Sequence, residues 1–119
     1  MLVNIDPASD RPIFHQIADS VRSDVAAGRS RAGDRLPSAR ELAAALDVNV
    51  HTVLHAYQDL RDEGLVELRR GRGAVLTDAA RALSTIHDDI AALAAKATAA
   101  GLHPETLSAL VKEASRAVQ

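Results

Sequence analysis

Apolar positions recur at helical spacing over most of the chain, and the residues between them supply the stops. Ile13, Ile17, Val21 and Val25 stand four apart, which predicts one helix with a single buried stripe, ended by Gly28. The IDPASDRP turn leads into it, with Asp10 as the expected cap and Pro12 in the first turn. Leu2 to Ile5 adds a short extended segment before that turn. A second helix starts near Ala39, where Ser38 and Glu41 have the capping-box spacing, and buries Leu42, Ala43 and Leu46. Asp47 and Val48 interrupt it. Asn49 then caps a third helix whose Val53, Ala56, Tyr57 and Leu60 repeat at i, i+3, i+4, i+7, and Gly64 ends that one.

After Gly64 the pattern changes. Leu65 to Arg69 and Ala74 to Thr77 are β-favouring runs around Arg70, Gly71, Arg72 and Gly73, which predicts a hairpin with Arg69, Arg70 and Arg72 at its tip. Two short helices joined by a tight turn and followed by such a hairpin have the order of a winged helix-turn-helix. In that arrangement the second helix of the pair enters the major groove of DNA.

From Asp78, expected as the next cap, the chain is alanine-rich. Leu83, Ile86, Ile90, Leu93, Ala97 and Ala100 alternate spacings of three and four, the a/d pattern of a coiled-coil seam that Gly101 closes. His103 and Pro104 open a last helix with Leu107, Leu110, Val111, Ala114 and Val118 along one face. Two such stripes exceed what a small winged domain can cover, so a partner surface is implied, and the simplest is a second copy. A two-helix cap folded over the winged domain is the alternative. The expected fold is mainly α with a small β hairpin. It comprises a winged helix-turn-helix domain over 1–77 and a helical dimerisation tail over 78–119. Leu83, Ile86, Ile90, Leu93, Leu107, Leu110 and Val111 carry the self-association.

Composition narrows the function. At 119 residues and 47% hydrophobic, the chain supports one compact domain plus an appendage. It has no cysteine, so disulfides and thiolate metal sites are excluded, and its most apolar run, IAALAA, is too short to span a bilayer. A cytoplasmic protein without membrane contact is expected. The formal charge of −2, from 14 basic and 16 acidic residues, means that any DNA binding must rest on local clustering. Twelve of the basic residues are arginine, and Arg69, Arg70 and Arg72 fall within four positions.

The stretch from about Ile5 to Leu76 resembles the N-terminal DNA-binding domain of GntR-type transcription regulators. The resemblance is carried by PIFHQI, G-D-R-LPSARELA, N-x-x-T-V-x-x-A-Y, EGLV and RRGRG in that order. The short two-helix tail resembles the YtrA-like subfamily, which implies a dimeric regulator, often of transporter operons. Two departures stand out. Asp47 occupies a position where relatives carry glycine, and Asp tolerates the left-handed backbone such a turn needs. Val50 and His51 replace the Pro-Asn or arginine that often opens the recognition helix, which implies a different operator.

With Val53 at the centre of the buried face and 100° per residue, His51, His55 and Gln58 fall on the opposite side, flanked by Thr52 and Leu54. Histidine and glutamine pair with base edges, and Leu54 or Val50 can meet a thymine methyl. Arg40 occupies the LPSxRELA position whose arginine, in the resembled family, meets the DNA backbone or a base. Ser38, Asn49, Val50, His51, Thr52, His55 and Gln58 complete the expected interface, together with Arg69, Arg70, Gly71 and Arg72 of the wing. The bland alternatives are solvated side chains and an arginine paired with a carboxylate.

His51 and His55 have the spacing of a zinc pair, but HTVLH lacks the glutamate of HExxH, so no metal or other cofactor is expected. The lone GxG at 71–73 has no lysine-serine or lysine-threonine after it, and no enzyme is indicated. The remaining rival is a winged helix used to bind protein within a larger assembly. The expected reading is a transcription repressor acting as a homodimer on an inverted-repeat operator in double-stranded DNA. The tail is too short to enclose a pocket of its own, so an unknown small-molecule effector, if one is used, would bind at the dimer or domain junction.

Overall fold

The structure, a computed structural model, describes residues 1–118; Gln119, the last residue of the expected tail, lies outside them. Among the described residues, five helices and one hairpin follow in the order α1 (Ile13–Ala26), α2 (Ala39–Leu46), α3 (Val50–Asp62), β1 (Val66–Arg69), β2 (Gly73–Leu76), α4 (Ala79–Ala99) and α5 (Pro104–Ala117). The chain divides into two compact units, the first Met1–Thr85 and the second from Ile86 onward.

The first unit is built around the stripes that the spacing marks out. Ile17, Val21 and Val25 of α1 meet Val53 and Leu60 of α3 in a core where all five are fully buried. Each such side chain contributes roughly 1.5–3 kcal/mol by leaving water. Leu42 and Ala43 of α2 and Val66, Ala74 and Leu76 of the hairpin close the same cluster. Ala80 and Leu83, beyond the hairpin, belong to this cluster as well: Ala80 is 3% exposed, and Leu83 packs against the winged core. The first unit therefore extends past the expected boundary at 77, and Leu83 leaves the expected self-association seam.

Local chemistry sets the element ends. The α1 N-cap is Pro12 with no side-chain bond, so Asp10 does not cap it as expected. Gln16 organises the preceding turn instead: its Oε1 accepts from the Asp6 N–H at 2.6 Å, and its amide donates to the Asp6 and Arg11 carbonyls at 3.1 and 2.9 Å. Val3 is buried, in a segment that belongs to no strand. At the start of α4 the Thr77 hydroxyl accepts from the Ala79 N–H at 3.3 Å, while the Asp78 carboxylate turns to Arg81 at 3.6 Å. Thr77 thus takes the role expected of Asp78, and its hydroxyl also donates to the Gly64 carbonyl at 2.6 Å.

Strand β1 pairs antiparallel with β2, from Val66 opposite Leu76 to Arg69 opposite Gly73. Strand β1 starts one residue later than its β-favouring run and β2 lies one residue earlier than its own, while the Thr77 N–H donates to the Leu65 carbonyl at 2.9 Å at the base. A third segment joins on the other side of β2. Arg35 bridges Val75, the Leu36 N–H donates to the Ala74 carbonyl at 2.9 Å, and the Leu76 N–H donates to the Asp34 carbonyl at 2.9 Å.

The second unit contains the rest of α4, then α5. Ala97 is its buried residue among those described, and Leu107 is half-buried. Gly101, at φ 79°, ends α4, and the His103 ring nitrogen Nδ1 accepts from the Glu105 N–H at 3.2 Å to cap α5 ahead of Pro104. Ile86, Ile90, Leu93, Leu110 and Val111 remain between 45% and 56% exposed.

Candidate nucleic-acid interface

The tight turn between α2 and α3 depends on Asp47, the one non-glycine residue with positive φ among those described, at φ 55° and ψ 51°. The left-handed conformation costs most residues roughly 1–2 kcal/mol, and Asp is among the few that visit it routinely. The turn lets the Val48 N–H donate back to the Ala43 carbonyl at 3.0 Å, and Asn49 Oδ1 then accepts from the His51 N–H at 2.8 Å. At the start of α2, Ser38 Oγ accepts from the Glu41 N–H at 3.1 Å; no reciprocal bond from the Glu41 side chain forms among the described residues. The caps thus occupy the Ser38 and Asn49 side-chain oxygens.

Tyr57 locks the two helices together. Its hydroxyl donates to the Pro37 carbonyl at 2.7 Å, just ahead of α2. Burial, with a smaller contribution from the Glu41 charge, pushes its pKa far above that of a free phenol, so it stays a neutral donor.

The outer side of α3 carries His51, Leu54, His55 and Gln58, all exposed, with Thr52 half-buried at its margin. Two expected contacts look different in three dimensions. Val50 is half-buried and packs against the core, so it is not a free apolar contact for a thymine methyl. His55 stacks on Phe14 of α1, with ring centroids 3.8 Å apart and planes 13° from parallel, and lies 3.8 Å from the Asp59 carboxylate. Phe14 is consequently a half-buried platform at the edge of the core, whereas Tyr57 is buried in it. Sequence spacing places His55 beside His51 but cannot show that an aromatic ring from another helix covers one of its faces.

The hairpin turn is Arg70, Gly71 and Arg72, closed by the Arg72 N–H donating to the Arg69 carbonyl at 3.0 Å. Gly71 at φ 79° and Gly73 at φ 72° adopt a backbone that a side chain would strain. Arg69 is not part of the turn. It sits in β1, and its Nε donates to Glu67 at 2.8 Å, a contact that raises the arginine pKa further.

The arginines fall into two classes. Arg11, Arg22, Arg29, Arg61, Arg69, Arg81 and Arg116 each face a carboxylate. Arg31, Arg35, Arg40, Arg70 and Arg72 have no carboxylate partner among the described residues. Arg40 lies at the start of α2, Arg70 and Arg72 at the wing turn, and Arg35 beside the wing strand through its bridge to Val75. In sequence Arg35 stands in a polar connection, and only the pairing with Val75 brings it beside the wing. No three His, Cys, Asp or Glu side chains are grouped to hold a metal ion among the described residues, and no helix among them is long and apolar enough to cross a membrane.

Residues 14–76 match the sequence profile described as "Bacterial regulatory proteins, gntR family". The chain belongs to the GntR family. It is 35% identical over 124 aligned positions to the HTH-type transcriptional repressor YtrA of Bacillus subtilis, covering 99% of this chain and 95% of that protein. A GntR family transcriptional regulator from Listeria monocytogenes superposes with a TM-score of 0.63 at 32% identity, over 92% of this chain and 98% of the other. The AraR DNA-binding domain, solved in complex with its operator ORX1, superposes with a TM-score of 0.55 at 25% identity, over 62% of this chain and 92% of its own. This GntR-family chain is a DNA-binding transcription regulator with a winged helix, and its family and relatives are regulators rather than enzymes.

Proposed function

We propose that this GntR-family regulator acts in the cytoplasm as a homodimeric repressor on an inverted-repeat operator. The outer side of α3 reads bases, and the wing and Arg40 hold the backbone. The observation that carries the DNA contact is the placement of unpaired arginines. Arg70 and Arg72 at the turn and Arg40 at the start of α2 keep their charge available, in a chain whose other cations are mostly neutralised by neighbours. Phosphate contacts position a protein on the duplex, and base-edge contacts specify sequence. His51 and Gln58 are the side chains best free to do the latter, with Thr52 and Leu54 beside them.

Self-association is supported by the second unit's exposed Ile86, Ile90, Leu93, Leu110 and Val111, with half-buried Leu107 alongside. Similarity over nearly the full length of a YtrA repressor supports both the short tail and the sign of regulation. One α3 and one wing read only a few base pairs, and a chain at −2 has little general attraction for DNA to add, so two copies are needed for specific binding. Selection of bound duplexes from a random pool, with sedimentation of the free and DNA-bound protein, tests the proposal. Inverted repeats with half-sites about 34 Å or a multiple apart, bound by two chains, are expected. Enriched sites without two-fold symmetry, or one chain per duplex, would refute it.

A further inference from the structure

A cavity of about 490 Å³ lies within the first unit, between the loop after α1 and the first turns of α4. Its walls carry two guanidiniums, Arg31 and Arg81, and no carboxylate. The Arg31 backbone N–H is fixed by the Asp34 carboxylate at 2.9 Å, while its guanidinium has no acidic partner among the described residues. Arg81 reaches Asp78 only at 3.6 Å, with both side chains more than three-quarters exposed, and a pair that loose contributes little. Ser84 offers a hydroxyl with no protein partner among the described residues, and Thr85 keeps acceptor capacity after donating to the Arg81 carbonyl at 2.8 Å. Ala32 and Ala80 supply apolar surface, and the Ser30 hydroxyl is already held by Asp24.

This cavity is at the wrong end of the sheet to be part of the wing contact. Gly33, adjoining Ala32, donates its N–H to the Leu76 carbonyl at 2.8 Å, at the end of β2 away from the Arg70–Arg72 turn. Strand rise puts Leu76 roughly 10 Å along β2 from Gly73. Two arginines with hydroxyls, and only the loose, exposed Asp78 contact to compete for one of them, match an anion, because guanidinium donors pair with phosphate and carboxylate oxygens in a bidentate fork. The volume falls in the range of small-molecule sites.

We propose that Arg31 and Arg81 form a site for a small metabolite bearing a phosphate or carboxylate group, and that this is the regulator's effector site. The second half rests on the DNA-binding reading above. A ligand bridging the two arginines ties the 28–32 loop to the turns of α4 that place Ala80 and Leu83 on the core.

The test uses the full chain. Backbone amide spectra are recorded while inorganic phosphate, and separately citrate, is titrated at constant ionic strength. Saturable shifts at Arg31, Arg81, Ser84 and Thr85 are expected, weakened about tenfold or more in Arg31→Gln and Arg81→Gln and unchanged in Arg70→Ala. Shifts that stay linear with concentration, or that persist in both glutamine variants, overturn the site. Operator affinity is measured in parallel, first without either anion and then with each at the same ionic strength. The glutamine variants should bind operator like the parent; a drop matching that of a wing variant makes these arginines DNA contacts and overturns the proposal. Saturable anion binding that leaves operator affinity unmoved overturns the effector role alone. A parent that binds no duplex in anion-free buffer removes the DNA-binding reading and leaves the amide result standing.

Discussion

Replacing Arg70 by alanine removes a charge that leaves no acidic partner stranded, so its effect should report the DNA contact alone. Each phosphate contact contributes about 0.9 to the slope of log affinity against log salt. In the two-fold complex proposed here the substitution acts twice and should flatten the slope by about 1.8. Between 50 and 200 mM salt the parent should then lose about tenfold more affinity than the variant. Arg72→Ala should behave alike. Arg69→Ala should do less, because Arg69 is already held 2.8 Å from Glu67 and has to share its charge. Glu67→Gln should release Arg69 and steepen the slope. Fluorescence anisotropy of labelled operator across a salt series measures all four. Unchanged slopes in both Arg70→Ala and Arg72→Ala, or an Arg69→Ala effect as large as theirs, would refute the division into occupied and available arginines.

Three further outcomes are expected. A chain ending at Thr85 should stay folded but become monomeric and lose most operator affinity, and Ile90→Asp should weaken association in the full chain; ending at Asp78 should also cost about 1–3 kcal/mol of stability, since Ala80 and Leu83 leave the core. Sedimentation and urea melts separate these effects, and a dimeric 1–85 chain would refute the role given to the tail. His51→Ala or Gln58→Ala should relax base preference at a cost of about 1–3 kcal/mol, whereas His55→Ala should chiefly remove the Phe14 stack, about 0.5–1.5 kcal/mol of stability, as read by base-substituted operators and thermal melts. Asp24→Ala should destabilise by about 1–3 kcal/mol at pH 7, because it strands the buried Ser30 hydroxyl. Burial pushes the Asp24 carboxyl up, but the Ser30 and Arg29 hydrogen bonds and the Arg29 charge outweigh it and hold its pKa below the usual range. The charged form therefore stabilises the fold above the unfolded pKa of about 3.9, and that contribution fades as pH falls through the lower folded value. Urea melts of the parent and Asp24→Asn from pH 7 to pH 2.5 should converge at the acid end.

Much of this was legible from spacing and caps. The i, i+4 stripe of α1, the Asn49 and Ser38 caps and the glycines around Arg72 all act locally, so the sequence carries them within a few positions. What escaped depends on partners far along the chain. Gln16, and not Asp10, organises the entry to α1 because the turn before it folds back over ten residues. Leu83 fits an a/d repeat as well as Ile86 does, and only the proximity of the winged core assigns it to the first unit. Arginine availability is likewise tertiary: Arg22 and Arg40 look equally basic in sequence, but Arg22 meets Glu63 from the end of α3.

The pairing of seven arginines with the chain's own carboxylates also bears on how the regulator finds its site. Association with arbitrary DNA is driven almost wholly by counterion release from phosphates. A surface that holds half of its 14 cations against its own carboxylates, at a formal charge of −2, therefore makes short visits to random sequence and slides over short distances. Search then proceeds largely through solution, by repeated collision and release. Little of the protein is held on the rest of the chromosome, so operator occupancy tracks the total number of copies, and a small change in synthesis becomes a direct change in occupancy.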